Sequence, residues 1–298
     1  MSWISLSIFA VIFFSIANVF DKFLVSKKFK NIYSFAVIIN IVYLIFFAIV
    51  GYFIRKTFIL NQGLYWTIAA SLAYFVMWIF WWKGLTTGEV SRVVAIFFTS
   101  PIFSALLAVI FLGESLSSLK WLAIFFIVVG GILSGWEAKK GKLKTFNKAY
   151  IFALLAAVFA SLGNVISKQA MVYWTPMTVQ TAGYLMALPL YLLFLFNKQV
   201  AEEAKKTFSS LRSFLLMFLR GLLGFLAISA FELSIGAGSV SLVVALNGTQ
   251  PMLILIFSTL LSIFAPKIIK EDTSRQALFT KAIAIILIIS GAIIISLF

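Results

Sequence analysis

One arginine stands where hydrocarbon is expected. Arg220 lies inside the apolar run from Phe214 to Leu233, and a basic group at the centre of a membrane helix costs about 2.5 to 3.5 kcal/mol on insertion scales. If that helix starts near Arg212 or Phe214, a rise of about 1.5 Å per residue puts Arg220 roughly 9 to 12 Å inside. Gly221 and Gly224 beside it leave room for a ligand or a closely packed helix. The planar guanidinium suits a carboxylate or phosphate of a substrate, and it equally suits an acid or carbonyl of the chain itself.

Other polar side chains interrupt apolar runs. Asn18, Asn164, Gln180, Asn247, Thr249 and Gln250 can bind a small polar substrate or hydrogen-bond to one another across helices. Trp78 and Trp82, with Trp81 and Lys83 between and beside them, offer faces for a flat or cationic substrate or a belt at the membrane interface. Arg92 and Glu89 lie close by in sequence. Lys22 and Lys168 fall at the ends of apolar runs, where they serve as a pair of gates or snorkel to the interface. Pro101 and Pro251 each remove a backbone hydrogen bond and are expected to bend their helices into hinges. A coupling proton or other ion would have to use Asp21, Glu89 or Glu232.

The chemistry that is missing narrows the field. The 298 residues include no histidine and no cysteine, so the usual general base, the thiol nucleophile and the thiolate metal site are absent. There is no Asp-rich metal motif, no Gly-rich nucleotide loop and no catalytic pair of carboxylates. The expectation is a protein that is not an enzyme and holds no metal or cofactor.

The elements that position these residues are membrane spans. The chain is 63% apolar and 11% charged, with a mean hydropathy of +1.10. A soluble chain is about 45 to 50% apolar and about 25% charged. The 24 Lys+Arg against 9 Asp+Glu, a net +15, fit basic loops against anionic membrane lipid rather than nucleic acid. Division at charged and turn-forming clusters gives ten spans: Trp3 to Leu24, Tyr33 to Ile54, Leu64 to Trp82, Val90 to Leu112, Leu119 to Trp136, Tyr150 to Met171, Met177 to Phe196, Phe214 to Leu233, Val240 to Phe264 and Leu278 to Phe298. The first reads as a retained helix and not a signal peptide, because it lacks a basic start and runs into Asp21 and Lys22. The linkers are too short to fold by themselves. Loops after the odd-numbered spans hold 19 of the 24 basic residues, which by the positive-inside rule places that face in the cytoplasm.

The chain also repeats itself. Ser15, Asn18, Val19 and Lys22 recur 146 residues later as Ser161, Asn164, Val165 and Lys168. Residues 88–95 recur 150 residues later as 238–245, and Thr99 and Pro101 as Thr249 and Pro251. Gly131 aligns with Gly291 at an offset of 160. Five spans per copy is an odd number, so the second copy enters the membrane inverted. The fold class that follows is an all-α polytopic membrane protein of ten transmembrane helices in two inverted five-helix repeats, residues 1–147 and 148–298. Inverted repeats are the usual build of secondary transporters, since two near-equivalent halves can exchange conformations.

Residues 101–133, PIFSALLAVIFLGESLSSLKWLAIFFIVVGGIL, resemble the end of an EamA domain: a proline-bearing fourth helix, a Leu-Gly-Glu turn and a fifth helix with a Gly-Gly pair. With ten spans and the duplication, the whole chain resembles the EamA branch of the drug/metabolite transporter superfamily. The second copy departs from the pattern, reading Ala265-Pro266-Lys267 where Leu-Gly-Glu would stand, so Glu114 reads as a capping or loop residue. The resemblance implies a central cavity lined by spans 3, 4, 8 and 9 with help from 1 and 6, and termini on the cytoplasmic side, against the charge bias. The function expected is a secondary transporter in the cell (plasma or inner) membrane moving a small polar metabolite, such as an amino acid or organic anion, by alternating access. A flippase for a lipid-linked sugar or phosphate, and a non-transporting scaffold or receptor, are the alternatives.

Overall fold

A computed structural model describes residues 2–29, 31–88, 90–134, 148–264 and 275–297. Among the described residues the chain forms helices and no strand, as a chain must where hydrocarbon offers its backbone no water to bond. The α-helices are α1 (Trp3–Lys28), α2 (Ile32–Ile54), α3 (Gln62–Thr87), α4 (Val90–Phe97), α5 (Ser100–Leu112), α6 (Ser118–Ser134), α7 (Lys148–Ala170), α8 (Pro176–Leu192), α9 (Lys198–Ser209), α10 (Leu211–Ala237), α11 (Val240–Asn247), α12 (Gln250–Phe264) and α13 (Arg275–Leu297). The fourth span is α4 with α5, and the ninth is α11 with α12. Among the described residues nine spans are long and apolar enough to cross a membrane, and α6 is a shorter apolar helix. The expected ends of the fifth and tenth spans, Trp136 and Phe298, lie outside the described residues.

Two elements differ from the sequence expectation. Residues 198–209, read as linker because of their charge, form α9, a short amphipathic helix that buries Val200, Ala204 and Thr207 against α2 and α10. The eighth span begins at Leu211 and continues to Ala237, four residues past Leu233.

The packing obeys one exchange rule. Swapping spans 1 to 5 with spans 6 to 10 turns the contact of α1 with α10 into that of α7 with α3, and the contact of α1 with α12 into that of α7 with α5. The contacts of α2 with α8 and of α6 with α13 map onto themselves, while the contact of α5 with α11 would map onto one of α12 with α4. The α6–α13 pair is pinned by glycine. A Cβ on Gly130 would lie 2.6 Å from Ile288 Cγ1 and 2.8 Å from the Ala284 carbonyl, and one on Gly291 would lie 2.7 Å from Ile127 Cγ1 and 2.6 Å from the Ala123 carbonyl. The mate of Gly291 is therefore Gly130 at an offset of 161, one residue before the Gly131 that the sequence pattern matched.

The turn after α5 joins the two copies. Gly113 takes the left-handed conformation (φ 67°) that ends α5, and Glu114 then crosses to α11. Its carboxylate accepts from the Val240 and Ser241 amides at 2.5 and 3.1 Å and from the Ser241 hydroxyl. Glu114 caps a helix of the other copy rather than its own.

Replacing Gly130 by alanine is expected to cost about 1 to 3 kcal/mol, because the facing carbonyl cannot move aside. The neighbouring Gly131→Ala, whose Cβ would be 3.3 Å from a Phe98 side-chain carbon, should be nearly neutral. Thermal unfolding of the two variants in detergent measures the contrast.

Candidate functional site

Two spans are broken at matching places. α4 ends at Phe97 and α5 begins at Ser100, while α11 ends at Asn247 and α12 begins at Gln250. Pro101 and Pro251 occupy the second position of α5 and α12, so the prolines expected to bend these spans sit just after true interruptions. Neither proline has an N–H to offer the carbonyl four residues back. Thr99 and Thr249 fill each gap the same way, donating to the carbonyls of Ile96 and Leu246 at 2.7 Å. Paired interruptions in corresponding spans leave backbone groups free for a polar ligand, and in transporter folds they mark the binding region.

The helices packed on the breaks repeat the pattern. Ser15 on α1 donates to the Gln250 carbonyl at 3.4 Å, and its mate Ser161 on α7 donates to the Ser100 carbonyl at 3.0 Å. One turn on, the two asparagines diverge. Asn164 is buried and accepts from the Tyr74 hydroxyl at 2.8 Å. The position equivalent to Tyr74 in the second copy is Gly224, so Asn18 has no tyrosine; it donates to Gln250 Oε1 at 3.1 Å and stays exposed. Of the predicted site residues the fold thus brings Asn18 and Gln250 together and places Asn164 at the matching point of the other copy. Asn247 ends α11 with its Oδ1 buried and unpartnered among the described residues.

Arg220 lies on α10 nine residues from the start of the helix, about 13 Å along it. Its fork is occupied. Nε and Nη2 donate to the two carboxylate oxygens of Asp21, each at 2.5 Å, Nη1 donates to the Tyr43 hydroxyl, and the rings of Phe35 and Tyr43 flank the guanidinium at 5.7 and 5.8 Å. The pair ties α1, α2 and α10 together near the face that bears the basic loops. Gly224 makes this possible, since a Cβ there would collide with Tyr43 Oη and Arg220 Nη1.

The remaining predicted residues lie apart from the breaks. Lys168 donates to the carbonyls of Ile235, Gly236 and Gly238 at 2.7, 3.1 and 3.0 Å, closing the end of α10 at the opposite face. Gln180 on α8 donates to Ser229 at 3.4 Å, and its Oε1 is buried without a partner among the described residues. Trp82 is buried among Tyr33, Tyr191 and Phe194, and Trp78, which is 38% exposed, stacks on it at 5.7 Å. The side chains of Lys22 and Arg92, and all of Glu89, lie outside the described residues. Of the acids considered for coupling, Glu232 is buried and accepts from Ser167 at 3.1 Å. Tyr74, Tyr43 and Ser167 were not singled out by sequence; aligning the repeats at offsets of 150 and 146 sets Tyr74 against Gly224 and Ser167 against Asp21.

Among the described residues, nine apolar spans and one shorter apolar helix, with matching breaks in two of the spans, make the build of a membrane transport protein. The chain matches the EamA-like transporter family over residues 1–136 and again over 147–270, and it belongs to that family. It is a multi-pass protein of the cell membrane, in a family of transporters rather than enzymes. It is 36% identical over 109 residues to Protein RarD of Salmonella typhi, covering 36% of this chain and 33% of that one. It is 28% identical over 89 residues to an S-adenosylmethionine uptake transporter of Rickettsia felis, covering 30% and 29%. The matches thus span about a third of these curated relatives. A solved structure described as "Crystal structure of protein" superposes with a TM-score of 0.75 at 16% identity over 99% of this chain and 96% of that one, so the fold is shared.

Arg220→Ala is expected to strand the Asp21 carboxylate and cost about 3 to 5 kcal/mol. The double variant Asp21→Ala/Arg220→Ala should recover part of that loss. A double-mutant cycle of melting temperatures measures the coupling.

Proposed function

We propose that the chain is a secondary transporter that carries a small polar metabolite across the membrane by alternating access between two five-helix halves, residues 1–147 and 148–298. The observation that carries this reading is the matched pair of broken spans, each braced by a serine from the first helix of one half. In the cycle the substrate binds among Asn18, Asn247 and Gln250, with Asn164 and Gln180 lining the approach. Lys168 and Lys22 stand at opposite ends as gates, and the breaks before Pro101 and Pro251 flex.

Charge bears on the substrate class. Arg220 is neutralised by Asp21, which disfavours a bare organic anion in the described residues of the site and leaves amides and backbone groups as its recognition elements. These suit a neutral or zwitterionic metabolite such as an amino acid. The Rickettsia relative is named for the uptake of S-adenosylmethionine, an amino-acid derivative that carries a sulfonium cation besides its zwitterionic end.

Purified protein in liposomes is expected to take up at least one member of a panel of amino acids, S-adenosylmethionine and organic anions. Asn18→Ala and Gln250→Ala should each lower that uptake roughly tenfold or more while the variants melt within a few degrees of the parent, since a lost hydrogen bond to a ligand is worth about 1 to 3 kcal/mol. A scaffold predicts no flux of any member, and a flippase predicts movement of lipid-linked substrates only.

A further inference from the structure

Deep within the described spans the charged side chains are matched, with one exception. Asp21 and Arg220 neutralise each other, and Lys168 is held by three carbonyls. Glu232, five residues before the end of α10, is 5% exposed and faces no basic group among the described residues.

The groups around it come from each helix packed on that end of α10. From α7, Ser167 donates to Oε2 at 3.1 Å, and Lys168 is committed to the carbonyls beyond. From α3, Tyr74 donates its hydroxyl to Asn164, one turn before Ser167 on α7. From α8, Gln180 donates to Ser229, one turn before Glu232 on the same face of α10, and its Oε1 is a buried acceptor with no donor. From α1, Trp3 and Ser7 engage Ser234. At α11 the terminal amides are already taken by Glu114. Oε1 of Glu232 receives no hydrogen bond among the described residues.

An ionised carboxylate buried with a single neutral donor is strongly disfavoured, whereas the neutral acid is not, and it supplies an O–H. One turn back along α10, where Gln180 donates to Ser229, the Gln180 Oε1 is a buried acceptor without a donor among the described residues. The repeat mates of Glu232 and Ser167 are Trp82 and Asp21, so the duplicated fold does not require an acid here.

We propose that Glu232 is a proton-binding site. It holds a proton while α1, α7 and α10 are closed over it at this face. When the face opens, the O–H bond breaks, the proton passes to water and the carboxylate is left solvated. The release step rests on the transport reading; the binding step does not.

Infrared spectroscopy of the full chain in liposomes near neutral pH tests the binding step without a substrate. The expected result is a protonated-carboxyl C=O band that is missing in Glu232→Gln, moves to higher frequency in Ser167→Ala as its hydrogen bond is lost, and does not change when sodium is exchanged for choline. A wild-type spectrum with no such band overturns the proposal. So does a band that appears only when sodium is removed, which would mark a metal-ion site. If Glu232→Gln fails to fold, the Ser167→Ala shift still assigns the band, and an unshifted band rejects the assignment. A band in a protein that moves no metabolite keeps the proton site and rejects the transport reading, while flux without the band rejects the proton site alone.

Discussion

A backbone carbonyl in hydrocarbon has no water to turn to, so any interruption of a membrane helix must be paid for by a side chain nearby. Here that constraint falls on the same two places in both copies. Threonine inside the break turns its hydroxyl back to the carbonyl of Ile96 or Leu246, and serine from the adjoining helix shares its hydroxyl between its own helix and the carbonyl of Ser100 or Gln250, at Thr99 and Ser161 in one case and Thr249 and Ser15 in the other. The first helix of each copy is thereby fixed against the fourth helix of the other. The asparagine one turn further along follows from that placement, as does the closeness of α10 to α1 on which the Arg220–Asp21 pair depends.

The contacts divide into two kinds under the exchange of halves. Those between α6 and α13 and between α2 and α8 map onto themselves and need not change if the halves trade conformations. Those of α1 with α10 and of α7 with α3 map onto each other, as do those of α1 with α12 and of α7 with α5, so a difference between two states would be stored in exchanged pairs of this kind. The buried charges sit on the second kind: Asp21 and Arg220 toward one end of the α1–α10 contact, Glu232 and Lys168 toward the other end of α10. The glycine-pinned pair α6–α13 lies away from them.

The spans were legible from the apolar pattern, and the duplication from residues that recur at fixed offsets, such as Ser15 with Ser161 and Pro101 with Pro251. The partner of Arg220 was not. Asp21 lies 199 residues away, and two charges in separate apolar runs carry no mark that they meet. Pro101 and Pro251 announced a disturbance in their spans, but the break itself lies at Thr99 and Thr249, whose amide and hydroxyl both turn back to the carbonyl of Ile96 or Leu246. Charge concealed α9: its lysines and glutamates read as linker although Val200, Ala204 and Thr207 keep helical spacing. The mispairing of Gly131 with Gly291 has a similar origin, since a Gly-Gly pair fits either register until the facing backbone selects Gly130.

The exchange of Tyr74 for Gly224 leaves the two breaks lined differently, with one asparagine sealed by a phenol and the other open. In the proposed cycle, a solute presented from one side of the membrane would meet other walls than a solute presented from the other. Its half-saturation on the two sides would then be unequal. Unequal affinities alone cannot accumulate anything, because at equilibrium a tighter grip on one side is offset by a slower departure from it. They set instead the solute level at which traffic in each direction saturates, so the lopsided lining would govern throughput while the sense of net flow would be left to whatever gradient is coupled to it.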